Sequence, residues 1–191
     1  MFTHTVRPAV SLLLVMTLLT GIVYPLVVTG IARAVFPREA AGSLISRDGK
    51  PIGSSLIGQS FSDPKYFWGR PSATMPQPYN GTASSGSNLG PLNPALIDNV
   101  KANAKALHDA DPGNTAPIPV DLVAASASGL DPEISTAGAR YQAARVARAR
   151  HIAPARVEAL ITAHERGRLL SFIGEPRINV LELNLALDSL P

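Results

Sequence analysis

A long run without charge near the N-terminus constrains this chain more than any other feature. Residues 8–32, between Arg7 and Arg33, contain no charged side chain. As a helix this run would be about 37 Å long, against a bilayer hydrocarbon core of roughly 30 Å. In lipid a lone segment must pair all its backbone groups internally, which only a helix does. The sequence therefore predicts a short tail at residues 1–7, a transmembrane helix at 8–32 and a soluble domain at 33–191.

A cleaved secretory signal is the alternative interpretation of the same run. A short basic start precedes the run, with Arg7 as its arginine, and Ala32-Arg33-Ala34 fits an A-x-A cleavage pattern. The apolar region of a signal is usually about 7 to 15 residues, much shorter than this one. Length favours a retained anchor, although the residues themselves leave both interpretations open.

Composition excludes several classes of function. The net charge of +3 comes from scattered arginines, so no nucleic-acid partner is expected. The absence of cysteine excludes a disulfide framework, a thiolate metal site and a cysteine nucleophile. Arg7 on one side of the apolar run and Arg33 and Arg38 on the other do not decide its orientation.

The remaining sequence predicts an α+β domain. An Asp48-Gly49 turn between residues 42–46 and 51–59 indicates a β-hairpin directly after the anchor. Residues 61–94 are rich in turn formers, with interspersed aromatics that we expect to hold these loops in place. The fold class is therefore a single N-terminal transmembrane helix followed by one mixed soluble domain with an early β-hairpin, two to three helices and long ordered loops.

Helical spacing places the other elements. Asn93 is predicted to cap a helix with Pro94 at its first position that ends near residue 111, and further helices are predicted at 135–151 and 154–166. Residues 112–134 are predicted to be a loop. In the tail, leucines alternate with other residues over 178–188, which favours a strand, although its Leu, Glu and Ala residues would also accept a helix.

No chemical motif predicts catalysis. The four histidines share no metal-ligand spacing, so neither a metal nor a cofactor of its own is expected. Ser62 and Lys65 match an S-x-x-K pattern, but the S-D-N and K-T-G partners of that signature are missing. No Walker A sequence or aspartyl-phosphate motif appears, so we expect no catalytic residue.

Two further stretches allow a structural and a functional interpretation. The arginines at 140, 145, 148 and 150 wrap widely around a predicted helix, which favours a solvated face over a phosphate or lipid site and leaves Ala139, Val146 and Ala149 to pack. Residues 121–134 combine small, hydroxyl and acidic side chains, as in turns or in a docking surface for another chain.

Six ordered segments carry a resemblance to a known family: GSSLIGQSF (53–61), YFWGRPSAT (66–74), YNGTASSGSNLGPLNP (79–94), DLVAASASGLDPEIS (121–135), YQAARVARAR (141–150) and GEPRINVLELNLAL (174–187). Together they resemble the C subunit of the bacterial Kdp potassium-transporting ATPase, the KdpC family. The resemblance covers the apolar run and most of the soluble domain. It implies that the run is retained as the single membrane span.

The resemblance implies an accessory, non-catalytic subunit of an ATP-driven high-affinity potassium uptake complex. The implied partners are the potassium-conducting subunit, the ATP-hydrolysing subunit, a small single-helix subunit and membrane lipid. The implied location is the bacterial inner membrane, with the N-terminus cytoplasmic and the soluble domain outside. There the domain would stabilise assembly and dock over the outer face of the potassium-conducting subunit.

An alternative role implied by the same resemblance is that of a catalytic chaperone, which raises the ATP affinity of the ATP-hydrolysing subunit through a transient ternary complex with ATP. The corresponding nucleotide-binding residues are Ser55, Leu56, Ile57, Gly58 and Gln59, here called the 55–59 segment. Its match to a transporter signature is partial, because Ile57 stands in place of a glycine. An external domain is separated from cytoplasmic ATP by about 30 Å of hydrocarbon. We therefore favour structural coupling, in which ATP is a possible ligand through the complex. A membrane-anchored cell-envelope enzyme is the second alternative.

Overall fold

The first compact unit is dominated by one long helix. The computed structural model describes residues 2–190, which divide into two compact units between residues 44 and 45. In the first unit, helix α1 (Phe2–Leu18) continues through a π-helical turn (Leu19–Val23) into helix α2 (Tyr24–Val35), and a short helix α3 (Pro37–Ala40) follows. The continuous segment His4–Val35 is the one described helix that is long and apolar enough to cross a membrane.

Pro25 explains the wider turn in the middle of this helix. Proline has no N–H to donate and its ring crowds the preceding turn, so a regular ladder is interrupted here. The amide of Tyr24 instead donates to the carbonyl of Leu19, five residues back. Thr20 directs its hydroxyl to the carbonyl of Met16 at 2.7 Å, which leaves no free donor on that side chain in the apolar segment.

The β-hairpin is confirmed, but its second strand is shorter than predicted. Strand β1 (Leu44–Arg47) pairs with β2 (Lys50–Ser54), and Asp48 and Gly49 have φ angles of 52° and 74°. Two positive φ values are what a two-residue hairpin turn requires. The second strand was predicted to reach Gln59 and ends at Ser54, because the amide of Leu56 donates to the Ser54 hydroxyl at 3.1 Å and starts a turn.

The three predicted helices are present. Helix α4 (Pro94–Ala110) begins after Asn93, whose side-chain oxygen accepts from the amide of Ala95 at 3.0 Å. Helix α5 (Thr136–Arg150) and helix α6 (Pro154–His164) follow. The predicted end of α6 at residue 166 is wrong by two residues, because Arg166 pairs with Arg177 through backbone hydrogen bonds.

The predicted C-terminal strand is wrong over most of its length. Only β4 (Arg177–Asn179) is extended, and it pairs antiparallel with β3 (Glu133–Ser135), with Ile134 opposite Ile178. Helix α7 (Val180–Asp188) follows directly, capped by Asn179, whose side chain accepts from the amide of Glu182 at 3.1 Å. The alternating leucines fit a helix because α7 is buried on most of its circumference.

The core of the second unit lies between α5, α6, α7 and the β3–β4 pair, with part of the long 55–93 loop folded onto it. A short 3₁₀ turn (Val120–Leu122) adds Leu122 to the core. The least exposed apolar side chains come from all of these parts: Phe67, Ile134, Ala139, Val146, Val157, Ile161, Ile178, Leu183 and Leu187. Phe67 has no exposed surface, so this part of the loop is a fixed component of the domain.

Candidate functional site

The backbone of the 55–59 segment is engaged within its own domain. Three successive amides have acceptors: Leu56 donates to the Ser54 hydroxyl, Ile57 to the Ser54 carbonyl and Gly58 to the carbonyl of Leu130 at 2.9 Å. A loop that cradles phosphate presents such amides to the ligand. These three amides already have protein partners, and the Leu56 side chain is exposed.

Gln59 closes the segment back onto the hairpin. Its side-chain amide donates to the carbonyl of Ile52 at 2.8 Å. A Cβ built on Gly53 would lie 2.2 Å from the Gln59 Nε2 atom and 2.7 Å from the Leu181 Cδ2 atom. Gly53 therefore makes room for the glutamine, which acts as a clamp between strand β2 and the loop.

Gly58 packs against a buried tyrosine. A Cβ at this position would lie 2.4 Å from the ring of Tyr79 and 2.8 Å from the carbonyl of Asp131. The Tyr79 hydroxyl donates to the carbonyl of Arg70. Burial, reinforced by the charge of Asp131 and opposed by that of Arg70, raises the pKa of Tyr79 to about 12. Gly58 is thus required for the close packing of this backbone against Tyr79 and Asp131.

A cavity of about 290 Å³ is lined by residues that follow the 55–59 segment in sequence. Its lining begins at Ser60 and includes Arg70, Tyr79 and Asn103, but no residue from 55 to 59. The guanidinium of Arg70 pairs with Asp131 at 3.0 Å. Sequence pattern does not predict this cavity, because its lining joins residues that are far apart along the chain.

The predicted solvated arginine face on α5 is wrong at Arg145. This side chain is buried, lies 4.6 Å from the centre of the Trp68 ring and donates to Gln142 Oε1 at 2.7 Å and to the carbonyl of Pro64. Burial lowers the pKa of Arg145 to about 10, partly offset by Asp111. Gln142 also exchanges two hydrogen bonds with the backbone of Trp68. These contacts hold the loop on α5.

The other members of the arginine group differ among themselves. Arg140 and Arg148 are exposed as predicted, although Arg148 pairs with the buried carboxylate of Asp111. Arg150 is largely buried, pairs with Asp188 at 2.6 Å and lies 4.8 Å from the centre of the Tyr66 ring. Of the residues predicted to pack, Ala139 and Val146 are buried whereas Ala149 is exposed.

Residues 121–134 show the turn chemistry that was one of their two interpretations. Asp121 accepts from the amide of Ser135 at 2.6 Å and from its hydroxyl at 3.1 Å, and Ser135 in turn caps α5. Asp131 accepts from the amide of Glu133 at 3.0 Å. The two carboxylates therefore organise the entry into β3 and α5.

The S-x-x-K match lies on an exposed turn. Lys65 pairs with Asp63 at 3.1 Å, and the amide of Lys65 donates to the same carboxylate. These hydrogen bonds lower the pKa of Asp63. Within residues 2–190, no group of three or more His, Asp or Glu side chains is arranged to hold a metal ion.

Comparison with known proteins decides the family. The family model described as "KdpC: K+-transporting ATPase, c chain" matches residues 6–189. The chain belongs to the KdpC family. It is 65% identical over 183 residues to the potassium-transporting ATPase KdpC subunit of Dechloromonas aromatica, covering 96% of both chains. It is 66% identical over 182 residues to that of Methylibium petroleiphilum, covering 95% of both.

Within this KdpC family member, the segments that carry the resemblance pack on one another. The 53–61 segment meets Tyr79, Asp131 and Leu181 through its two glycines. The backbone of Phe67 exchanges two hydrogen bonds with the side chain of Asn184, at 2.9 and 3.0 Å. These segments therefore build one rigid domain, in which the 55–59 segment is a structural joint.

Proposed function

We propose that this chain is the accessory, non-catalytic subunit of a bacterial ATP-driven potassium uptake complex. Its relatives are named as subunits of a potassium-transporting ATPase, which implies a multi-subunit assembly. One observation carries the proposal: the helix His4–Val35 is apolar along its length, and none of its most apolar window is buried within the chain. Lipid or the helices of other subunits must cover such a surface.

The helix has features suited to contact with other membrane helices. At Gly21 and Gly30 a built Cβ would meet nothing within 4 Å, so the backbone is accessible at both positions. Small residues allow helix backbones to approach closely in membranes, where packing drives association. The π-helical turn around Gly21 widens the helix at this point. We infer that the anchor packs between membrane helices of the partner subunits.

The soluble domain is proposed to lie outside, over the outer face of the potassium-conducting subunit. Its long loops are held to α5 and α7 by buried side chains, so it offers a fixed surface for docking. Such a subunit would stabilise an assembly by adding interface area through its anchor and through its soluble domain.

The competing hypothesis is direct ATP contact by the 55–59 segment. The internal partners of Leu56, Ile57, Gly58 and Gln59 argue against it, since a nucleotide would have to displace them. We infer instead that any effect on nucleotide affinity passes through the membrane helices as a coupling free energy. Photo-crosslinking of labelled ATP to Gln59 in the intact complex would contradict this inference.

Sidedness can be tested by cysteine labelling, because the chain contains no cysteine of its own. Ser62→Cys places a thiol on an exposed turn of the soluble domain, and Thr5→Cys places one before the apolar run. A membrane-impermeant maleimide should label Ser62→Cys in spheroplasts and Thr5→Cys only in inverted vesicles. The reverse pattern would contradict an external domain and would restore direct ATP contact as a hypothesis.

A further inference from the structure

Residues 166–177 form an exposed β-ribbon that the proposed function does not use. At its base, Arg166 and Arg177 are joined by two backbone hydrogen bonds of 2.8 and 3.1 Å. Nearer the tip, Leu169 and Ile173 are joined by two more, both 2.9 Å. The ribbon therefore has a defined backbone up to its end.

The tip of the ribbon is apolar and open to solvent. Leu169, Leu170, Phe172 and Ile173 are 65%, 70%, 74% and 48% exposed, respectively. Single exposed apolar side chains are ordinary on protein surfaces, whereas a contiguous group marks an interaction site. This tip, residues 169–173, is called the apolar tip below.

The apolar tip is held in a conformation that costs free energy. Leu170 and Ser171 have φ angles of 52° and 69°, in the left-handed region that residues other than glycine rarely adopt. The pairing of Leu169 with Ile173 and an ion pair of 2.8 Å between Arg168 and Glu175 hold the ribbon on both sides of this turn. A preordered element loses less entropy when it binds.

Charges around the apolar tip favour a protein partner over a lipid surface. Each arginine of the ribbon has an acidic partner: Arg166 with Glu182 at 2.6 Å, Arg168 with Glu175 and Arg177 with Glu133 at 2.7 Å. Loops that bind anionic membranes combine apolar side chains with unpaired basic residues. An apolar centre inside a polar, electrically balanced rim is instead the arrangement found at protein interfaces.

We propose that the apolar tip is a docking knob that inserts Leu170 and Phe172 into an apolar groove on the potassium-conducting subunit of the potassium-transporting ATPase. This inference rests on the proposed function, because it takes its partner from the same assembly. The groove would have an apolar floor and a polar, net-neutral rim that matches the paired charges of the ribbon.

A photo-reactive amino acid at position 172 tests the proposal in native membranes that contain the complete complex. The matched control carries the same probe at Leu92, which is 92% exposed and lies on a different loop. We expect the probe at 172 to form an adduct with the potassium-conducting subunit, at least about tenfold more than the probe at 92. An adduct with lipid or another polypeptide, or a yield no greater than the control, would overturn the proposal.

A substitution pair gives a second readout. Leu170→Ser with Phe172→Ser should lower the amount of partner subunit recovered with the tagged full chain by about tenfold or more, whereas Leu92→Ser should not. Because these side chains are exposed, the unfolding temperature of the variant should equal that of the wild type. Unchanged recovery would overturn the docking role while leaving the proposed function intact. A wild-type chain that recovers no partner would overturn the proposed function itself.

Discussion

At the scale of single residues, the glycines and the glutamine near the hairpin have packing roles that a motif search would assign to ligand binding. Gly53 and Gly58 each lie where a Cβ would overlap a neighbouring side chain. Gln59 uses its amide to hold the Ile52 carbonyl. A glycine–glutamine pattern can therefore arise from the need for close approach, without any phosphate.

Gly58→Ala should destabilise the soluble domain. The added methyl group would overlap the Tyr79 ring and the fixed carbonyl of Asp131, so we expect a loss of about 1 to 3 kcal/mol in the free energy of unfolding. Gly90→Ala is the matched control, since a Cβ there meets nothing within 4 Å. Thermal unfolding of the full chain in detergent measures both, and equal midpoints for the two variants would contradict the packing role.

Gln59→Ala separates the clamp from a nucleotide contact. Loss of the hydrogen bond to Ile52 should lower the free energy of unfolding by about 0.5 to 1.5 kcal/mol. The KM of the assembled complex for ATP should stay unchanged. A KM raised several-fold with unaltered stability would instead support ATP contact by the 55–59 segment.

Tyr79 gives the domain a pH dependence at high pH. Its folded pKa of about 12 lies above the ordinary value of 10.0, so the folded state favours the neutral phenol. This stabilisation is complete below about pH 10 and is lost as the pH rises through 12, by up to about 2 kcal/mol. The free energies of unfolding of the wild type and of Tyr79→Phe, measured by denaturant titration, should converge as the pH rises from about 10 to about 12. A constant difference between the two proteins over this pH range would contradict the prediction. Burial also raises the pKa of Tyr141, but this residue is present in both proteins and so does not affect their difference.

At the scale of elements, sequence pattern predicted the helix start and the turn that are determined by contacts between residues close in sequence. The start of α4 follows from Asn93 and Pro94, and the hairpin turn from Asp48 and Gly49, because the deciding hydrogen bonds and dihedral angles lie within a few residues. For α7 the spacing favours a strand over the helix that its composition also allows. The reason is that the helix is buried on most sides, so its leucines do not follow the spacing of a single apolar face.

The contacts that fix the long loop could not be predicted from sequence pattern. Trp68 and Gln142 are 74 residues apart, and Phe67 and Asn184 are 117 residues apart. Such polar pairs leave no periodic signal, since each partner is chosen by three-dimensional position. The same reason explains why Arg145 was expected to be solvated and is instead buried over Trp68.

Asn184→Leu should weaken the attachment of the loop to α7. The substitution removes both hydrogen bonds to the backbone of Phe67 and leaves its buried N–H and C=O without these partners, at a cost of about 2 to 4 kcal/mol. Asn99→Leu, on the exposed surface of α4, is the matched control. Chemical denaturation of the full chain measures the difference, and a loss below about 0.5 kcal/mol in the Asn184 variant would contradict the role assigned to this amide.

At the scale of the whole molecule, two units with different surroundings share one chain. The first exposes an apolar helix that needs lipid or other helices around it. The second is a domain with its own core and fixed loops. Membership in the KdpC family, together with this division, fits a membrane-associated subunit of a multi-subunit potassium-transporting ATPase that also carries a separately folded domain.

The most direct test of this account is affinity purification of the tagged full chain from native membranes in mild detergent, with the recovered subunits identified by mass spectrometry. We predict that the potassium-conducting and ATP-hydrolysing subunits are recovered in a fixed ratio with the chain, and that the chain separated from them hydrolyses no ATP. Recovery of the chain alone, as a freely diffusing monomer, would contradict its role as a subunit.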